Sequence, residues 1–225
     1  LRQLEAGIDR ATRVMAQLLT LARLEPDAGS RHMAQVDLLA LTRQELAELT
    51  PLALEHGQEL ALEAGEGEED SAGEEASAGG GGDAAGKGTR GVRDHGGADF
   101  RLVADAPGLG ILLQNLVSNA VQHTPPGGRI RVVLEADAEA VVLRVQDSGP
   151  GVAPELRGKV FERFFRAGGG SGAGLGLSIV ARIVELHHGT ITLGDSPLGG
   201  LEVWVRLPRA TEGVGAGGAL GASAD

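Results

Sequence analysis

Three side-chain amides lie on one side of a predicted helix. Asn115, Asn119 and Gln122 are four and three residues apart, a spacing that brings them onto one helix face. The opposite face carries apolar residues, namely Leu109, Leu112, Leu116 and Ala120. Amide oxygens are reasonable ligands for Mg²⁺, which usually also keeps waters and substrate phosphates in its coordination shell. A solvated helix face is the alternative, and the amides alone favour it.

A carboxylate, Asp147, ends an apolar strand and is followed at once by Gly149 and Gly151. Such a carboxylate can accept a hydrogen bond from an exocyclic amine. The two glycines would let the backbone approach a planar ring, because no Cβ stands in the way. An Asx-turn that leaves the strand is the alternative, and Asp-x-Gly-x-Gly alone does not exclude it.

Three of the four phenylalanines of the chain lie close together, at positions 161, 164 and 165, with Arg163 and Arg166 between and after them. Rare aromatics beside a glycine run indicate a lid, in which apolar anchors hold the segment and glycines let it move. Ordinary core packing is the alternative for the phenylalanines, and Arg163 is expected at the surface.

Glycines at 168–170, 172, 174 and 176 lead directly into a helix predicted over Leu175–His187. Backbone N–H groups at a helix N-terminus, together with the helix dipole, favour phosphate. A flexible linker would have the same composition, but the amphipathic helix that follows supplies the context that phosphate binding needs. The chain has no Gly-x4-Gly-Lys-Ser/Thr sequence, which excludes P-loop NTPases.

In their order and spacing, four segments resemble the N, G1, F and G2 boxes of sensor histidine kinases: Leu113–Ala120, Asp147–Gly151, Val160–Arg166 and Gly172–Leu177. The resemblance covers residues 100–207 and, more loosely, the first helix. It implies an α+β fold, a two-layer α/β sandwich of the GHKL ATPase type with a mixed sheet and helices on one face. It also implies ATP and Mg²⁺ as ligands and transfer of the γ-phosphate to a histidine.

The resemblance implies roles for single residues. Asn119 would coordinate the ion with help from Asn115, Asp147 would read the adenine N6 amino group, and Arg166 would approach the terminal phosphate. Nucleotide contacts are implied for Asn119, Gln122, His123, Asp147, Gly149, Gly151, Gly172, Gly174, Leu175, Gly176 and Leu177. Members of this family often have Lys and Tyr where this chain has Gln122 and His123, so the chain lacks a cation there.

Residues 1–25 carry a heptad pattern that predicts a helix needing a partner helix: Leu1, Leu4, Ile8, Ala11, Met15, Leu18 and Ala22. A surface helix on a globular core is the alternative. The resemblance implies that this is the second helix of a dimerisation and phosphoacceptor hairpin, and hence a homodimer. No histidine here matches the acceptor pattern, His32 included, so we expect the acceptor to lie outside this chain.

The catalytic ATP-binding domain is expected at residues 36–207, with a disordered insertion at 64–98 and a disordered tail at 208–225. The insertion is rich in Gly, Ala, Ser and acids and cannot bury enough apolar surface to fold. Asp37 should cap a helix that bends at Pro51 and ends at Gly57. The other predicted elements are strand Gln58–Glu63, strand Phe100–Val103, helix Pro107–His123, hairpin strands Arg129–Glu135 and Ala140–Gln146, and strands Thr190–Leu193 and Leu201–Leu207.

The net charge of −11 argues against a nucleic-acid partner held by phosphate contacts. The absence of cysteine excludes disulfides and thiolate metal sites. No run of about 18 apolar residues occurs, so no direct membrane contact is expected here. The chain opens in mid-helix without Met, and we expect it to be the cytoplasmic region of a membrane-anchored bacterial sensor that passes phosphate to a response-regulator receiver domain.

Two alternatives remain open. Gyrase-like, mismatch-repair-like and chaperone ATPases usually have a catalytic Glu on the helix where this chain has Asn115 and Asn119, so hydrolysis would lack its base. The second alternative is a module that binds nucleotide without kinase activity and acts by dimerisation or partner binding. The six histidines form no metal-binding pattern, and His187 and His188 are expected to stabilise the C-terminal dipole of their helix.

Overall fold

The helices and strands are those of a computed structural model, which describes residues 32–66, 93–94, 97–166 and 173–209 together with Met15 and Leu19. The strands are β1 (Ala34–Asp37), β2 (Glu59–Glu66), β3 (Arg93–Asp94), β4 (Arg101–Ala104), β5 (Arg129–Ala136), β6 (Ala140–Asp147), β7 (Thr190–Asp195) and β8 (Leu201–Pro208). The helices are α1 (Leu38–Glu55), α2 (Ala106–His123) and α3 (Gly176–Leu186), and short 3₁₀ turns cover Pro154–Leu156 and Lys159–Phe161.

Six strands form one mixed sheet in the order β3-β2-β5-β6-β8-β7. Strand β2 runs parallel to β3 and β5, and the other neighbours are antiparallel. The hairpin predicted from Arg129 to Gln146 is confirmed, with Val132 opposite Val145. The last two strands pair as predicted, with Leu193 opposite Val203.

The two faces of the sheet differ in chemistry because side chains alternate along each strand. The face that joins the hydrophobic core carries Leu60, Leu62, Ile130, Val132, Leu134, Val141, Leu143, Val145, Val203, Val205 and Leu207. The other face carries Glu63, Arg131, Glu135, Arg144, Trp204 and Arg206. All three helices contribute to the same core, with α2 packed between α1 and α3. The predicted two-layer α+β architecture is therefore confirmed.

Strand β1 is an element that the sequence did not reveal. It pairs antiparallel with β4 in a separate two-stranded sheet, with Val36 opposite Leu102. Only Val36 is buried among its four residues, so the alternation is too short to distinguish a strand from a loop. The predicted strand Phe100–Val103 is shifted by one residue in consequence, to Arg101–Ala104.

Helix α1 has the predicted ends. The Asp37 carboxylate accepts a hydrogen bond from the Ala40 amide at 3.0 Å, which is the expected N-cap contact. The chain leaves the helix through His56 and Gly57, and Gly57 has a φ of +67°, a left-handed conformation that glycine adopts without strain. Helix α1 continues through Pro51 to Glu55.

The predicted limits of the insertion need correction. Strand β2 continues to Glu66, three residues beyond the predicted end, and Ala64 is buried. Small residues such as Ala64 and Gly65 give no strand signal, yet their backbone pairs with β5. Ala98 also packs against the core. Strand β3 also lies inside the predicted insertion, where it pairs with β2, and Pro208 of the predicted tail ends β8. Residues 67–92 and 95–96 of the predicted insertion, the predicted tail beyond Arg209 and most of the predicted helix over 1–25 lie outside the described residues. Met15 and Leu19 are helical.

A buried glutamine holds the end of α2. The Gln58 side-chain amide donates to the carbonyl oxygens of Val121 and Thr124, at 2.9 and 2.5 Å. These carbonyls belong to the C-terminal end of the helix, where backbone acceptors lack helical partners. Gln58 therefore connects the start of β2 to the end of the helix that carries the predicted amides.

Candidate nucleotide-binding site

Asp147 ends β6 on the face of the sheet that meets the helices, opposite Ile130. Its side chain is buried, and its Oδ1 accepts hydrogen bonds from the amides of Gly149 (2.8 Å) and Leu201 (3.1 Å). Among the described residues, both hydrogen bonds that the carboxylate accepts end on this one oxygen. Oδ2 therefore retains acceptor capacity for a ligand.

Burial raises the pKa of the Asp147 carboxyl above its ordinary value of 3.8. The amides of Leu201 and Gly149 and the nearby His123 act in the opposite direction, but burial is the larger effect. The ionised carboxylate therefore has a free-energy cost in the folded protein. A ligand N–H group that donates to Oδ2 would stabilise the ionised form and offset part of this cost.

Glycines surround this carboxylate because the backbone packs against it. A Cβ on Gly149 would lie 2.7 Å from the His123 carbonyl oxygen, and a Cβ on Gly200 would overlap Oδ1 of Asp147. Gly151 has a φ of +70°. Gly200 was missed by the sequence analysis, since it lies in the β7–β8 connection and only the fold brings it beside Asp147. The Gly199–Gly200 pair was the available signal.

The predicted amide face of α2 lies beside the start of α3. The Asn115 side-chain nitrogen donates to the Ile111 carbonyl at 2.8 Å, which orients the amide and leaves Oδ1 as an acceptor. A Cβ on Gly176 would lie 3.2 Å from that Oδ1. An oriented amide oxygen beside a helix N-terminus fits a hard cation that also binds phosphate oxygens. Asn119 is half-buried one turn further along α2.

Gln122 and His123 are exposed at the end of α2. The His123 side chain is close enough to Asp147 to lower the pKa of that carboxyl, and its backbone carbonyl lies against Gly149. The structure thus brings the end of α2 and the end of β6 together. Gln122 and His123 could contact a ligand without displacing the core.

The glycine-rich entry to α3 is tightly folded where it is described. Gly174 has a φ of +70°, and its carbonyl accepts a hydrogen bond from the Phe164 amide at 2.9 Å. A Cβ on Gly174 would lie 2.6 Å from the Phe165 carbonyl oxygen. Leu175 is fully buried, and no side chain caps the helix that starts at Gly176. First-turn N–H groups without a side-chain cap are suited to phosphate oxygens.

The predicted lid is only partly the anchored segment that we expected. Val160 is buried and Phe161 and Phe165 are half-buried, but Phe164 is 62% exposed and has a φ of +65°. Phe164 is therefore not an apolar anchor in this conformation. Arg166 is exposed, and within the described ranges no hydrogen bond or ion pair ties it to the site. Gly172 lies outside the described residues.

Among the described residues no group of three or more His, Cys, Asp or Glu side chains is arranged to hold a metal ion. The predicted metal ligands, Asn115 and Asn119, are amides and belong to a different kind of site. None of the described helices is both long and apolar enough to cross a membrane. The predicted roles of the site residues stay predictions, supported by the juxtaposition of α2, α3 and β6.

Gly200→Ala should abolish most nucleotide affinity, because the added methyl group displaces the Asp147 carboxylate. We expect a loss of at least about tenfold in ATP affinity, measured by calorimetry. Gly158→Ala is the matched control, since its Cβ would meet nothing within 4 Å. Circular dichroism should show both variants folded. Equal ATP affinities for the two variants would contradict this geometry.

The comparisons with known proteins agree with the fold. Residues 104–211 match the family model described as histidine kinase-, DNA gyrase B- and HSP90-like ATPase. The chain is 38% identical over 213 residues to the sensor protein kinase PmrB of Pseudomonas aeruginosa, covering 93% of this chain and 38% of that protein. It is 34% identical over 208 residues to the sensor protein QseC of Salmonella typhi, covering 92% and 38%. The chain thus spans well under half the length of these relatives.

Solved structures are similar as well. The cytoplasmic segment of histidine kinase QseC matches with 25% identity and a TM-score of 0.51, covering 89% of this chain and 94% of that one. Full-length ShkA in complex with AMPPNP matches with 30% identity and a TM-score of 0.64, covering 87% and 35%. The order of the four motifs, the mixed sheet under three helices and these similarities lead to one assignment. Residues 104–211 therefore carry a histidine kinase-, DNA gyrase B- and HSP90-like ATPase domain, and over more than nine-tenths of its length the chain is similar to sensor kinases.

Proposed function

We propose that this chain is the catalytic region of a sensor histidine kinase, which transfers the γ-phosphate of Mg·ATP to a histidine outside this chain for relay to a response-regulator aspartate. The observation that carries the proposal is the buried carboxylate of Asp147, whose Oδ2 retains acceptor capacity beside closely packed glycines. The relatives named as sensor kinases and the ShkA structure with AMPPNP support the same function.

Asp147 would bind the adenine end of the nucleotide. Its Oδ2 would accept a hydrogen bond from the N6 amino group, and a charged acceptor makes a stronger bond than a neutral one. Gly149 and Gly151 would let the backbone approach the ring, and Gly200 leaves the carboxylate in place. His123, adjacent to the carboxylate, would lie at the edge of this pocket.

The phosphates would lie between α2 and the start of α3. Oδ1 of Asn115 and the side chain of Asn119 would hold Mg²⁺, which supplies charge neutralisation on the phosphate oxygens when bound. The first-turn amides after Gly174, from Leu175 to Leu177, would contact phosphate, and Gly172 and Gln122 would contribute from the lid and from α2. Arg166 would approach the γ-phosphate after lid closure.

The absence of an acid from α2 supports transfer to histidine over hydrolysis. Helix α2 contains neither Asp nor Glu, so no carboxylate on it can activate a water. Phosphoryl transfer needs positioning and charge stabilisation and no covalent intermediate with the domain. The kinase would therefore depend on an imidazole acceptor brought to the γ-phosphate, and water would remain a poor competitor.

The wider setting is part of the proposal. The helix at residues 1–25 would pair in a dimerisation hairpin, giving a homodimer in the cytoplasmic region of a membrane-anchored sensor. A receiver domain would be the second partner. A nucleotide-binding module without kinase activity is the competing function, and it is favoured by Gln122 and His123, which stand where members of the family often have Lys and Tyr.

Asp147→Asn should affect stability and binding in opposite directions. A raised pKa means that the folded protein binds the proton more tightly, so the contribution of this group to stability is present at low pH and is lost as pH rises through the raised pKa. Removing the charge should therefore leave the ligand-free protein at least as stable at pH 7 in urea unfolding. ATP affinity should fall by about 1–3 kcal/mol.

The pH dependence gives the control for this prediction. The difference in ATP affinity between wild type and Asp147→Asn should shrink as pH is lowered through the raised pKa of Asp147, because protonation removes the charge from the wild type as well. Protonation of the ATP phosphates and base affects both proteins equally, so it cancels when the two affinities are compared at the same pH. Unchanged ATP affinity in the variant at neutral pH would refute the adenine assignment.

The chain should bind ATP without labelling itself, because none of its histidines lies in an acceptor-like sequence. Incubation with γ-labelled ATP should give no acid-labile label on the chain alone. Label should appear on an added fragment that contains the upstream hairpin helix, since the domain needs only to reach the acceptor. Label on the chain alone would contradict the placement of the acceptor. ATP binding without label in either mixture would favour the module without kinase activity.

A further inference from the structure

His187 is a buried polar side chain that the nucleotide site described above does not use. It directly follows α3, and the residue is 7% exposed. One ring nitrogen, Nδ1, lies 2.7 Å from the Ile183 carbonyl oxygen of its own helix. The other, Nε2, accepts a hydrogen bond at 3.0 Å from the backbone amide of Asp105, 82 residues away. The expected interaction with the helix end is present, and a second contact reaches another helix.

These two partners determine the tautomer of the ring. A carbonyl oxygen can only accept, so the proton must be on Nδ1. A backbone N–H can only donate, so Nε2 must carry a lone pair. The ring thus donates to a carbonyl at the C-terminal end of α3 and accepts from the backbone amide that precedes α2. The side chain of Asp105, the N-cap residue of α2, makes no capping hydrogen bond to that helix.

A second contact joins the middle of α2 to the start of α3. Asn115 on α2 lies against Gly176 at the start of α3. Ten residues separate Asp105 from Asn115, roughly 15 Å along a helix, and eleven separate Gly176 from His187, roughly 16.5 Å. The first contact joins the start of α2 to the end of α3 and the second joins the middle of α2 to the start of α3, so the two helices run antiparallel. The two lengths are similar, so both contacts can form at once.

We infer that His187 is a positioning residue that sets the axial register between α2 and α3, and with it the spacing between the Asn115 oxygen and the phosphate-binding start of α3. The inference rests on the proposed function for its consequence in binding. His187 itself touches neither nucleotide nor metal. A slip of α3 along its axis, with α2 held by Gln58 and Glu45, would separate Asn115 from Gly176 while leaving Asp147, which lies on β6, in place.

A comparison of phosphate and adenine binding distinguishes a positioning role of His187 from general stabilisation of the fold. Loss of register should weaken recognition of the phosphates and the metal, which depend on α2 and α3. Recognition of the adenine ring, which depends on Asp147 and the glycines around it, should be retained. A residue that only stabilises the fold would weaken both kinds of binding alike, or neither.

The test compares His187→Asn with His187→Gln. Asn can replace the Nδ1 donor but is too short to reach Asp105, whereas Gln can offer an acceptor near the position of Nε2. For His187→Asn we expect Mg·ATP affinity to fall about tenfold, equivalent to about 1.4 kcal/mol, and adenosine affinity to change less than about twofold. His187→Gln should recover most of the Mg·ATP affinity. His188→Asn is the matched control, since His188 is exposed and its φ of 55° suits Asn.

Nuclear magnetic resonance of the ligand-free protein separates this inference from the proposed function. The ¹⁵N shifts of wild-type His187 should show a protonated Nδ1 and an unprotonated Nε2. In His187→Asn the Gly176 amide and the Asn115 side-chain amide should shift, while the Gly149 amide should not. The opposite tautomer, equal losses for adenosine and Mg·ATP, or no advantage of Gln over Asn would overturn the inference. A wild type that folds but binds no ATP would refute the proposed function, and the resonance data would still test the register.

Discussion

The proposed nucleotide site depends on a buried carboxylate, Asp147, whose ionised form is costly because little water reaches it. Burial raises its pKa, and the amides of Gly149 and Leu201 provide only part of the compensation, because both bond to the same oxygen. The free-energy cost of ionising this buried carboxyl is present at the end of β6, an inner strand of the sheet. Glycine at 149 and 200 follows from the same constraint, since any side chain there would occupy the space of the His123 carbonyl or of the carboxylate. A ligand amine would supply the missing hydrogen bond.

Helix α2 connects this carboxylate to the rest of the site, and other elements hold it along its length. Gln58 bonds to the carbonyls at its C-terminal end and His187 to the amide before its N-terminal end. Near its middle, the Gln114 side chain donates to the buried Glu45 carboxylate on α1 at 2.8 Å. Three polar contacts from three different elements therefore orient the helix that carries Asn115 and Asn119. A rigid support of this kind lets one helix present oxygen ligands in a fixed position.

The sequence predicted those parts of the fold that depend on local pattern. Leu109, Leu112 and Leu116 recur at helical spacing, and the apolar strand before Asp147 ends in a glycine turn, so the helix, the hairpin and the carboxylate at the end of its second strand could all be predicted. Strand β1 could not, because its pairing with β4 spans almost seventy residues and only Val36 marks it. Gly200, Gln58 and His187 act through contacts between distant segments, and nothing in their local sequence reveals the partner. The exposed Phe164 differs from the prediction because position in a motif does not determine burial.

The division of the site into an adenine part on β6 and a phosphate part between α2 and α3 is the central claim, and an amide-shift titration with two ligands tests it most directly. Adenosine should perturb the amides of Gly149, Gly151 and Gly200 and leave that of Gly176 unchanged. ADP with Mg²⁺ should perturb the same amides and, in addition, Gly176 and the side-chain amides of Asn115 and Asn119. Perturbation of Gly176 by adenosine alone, or unchanged asparagine side chains with Mg·ADP bound, would contradict the account.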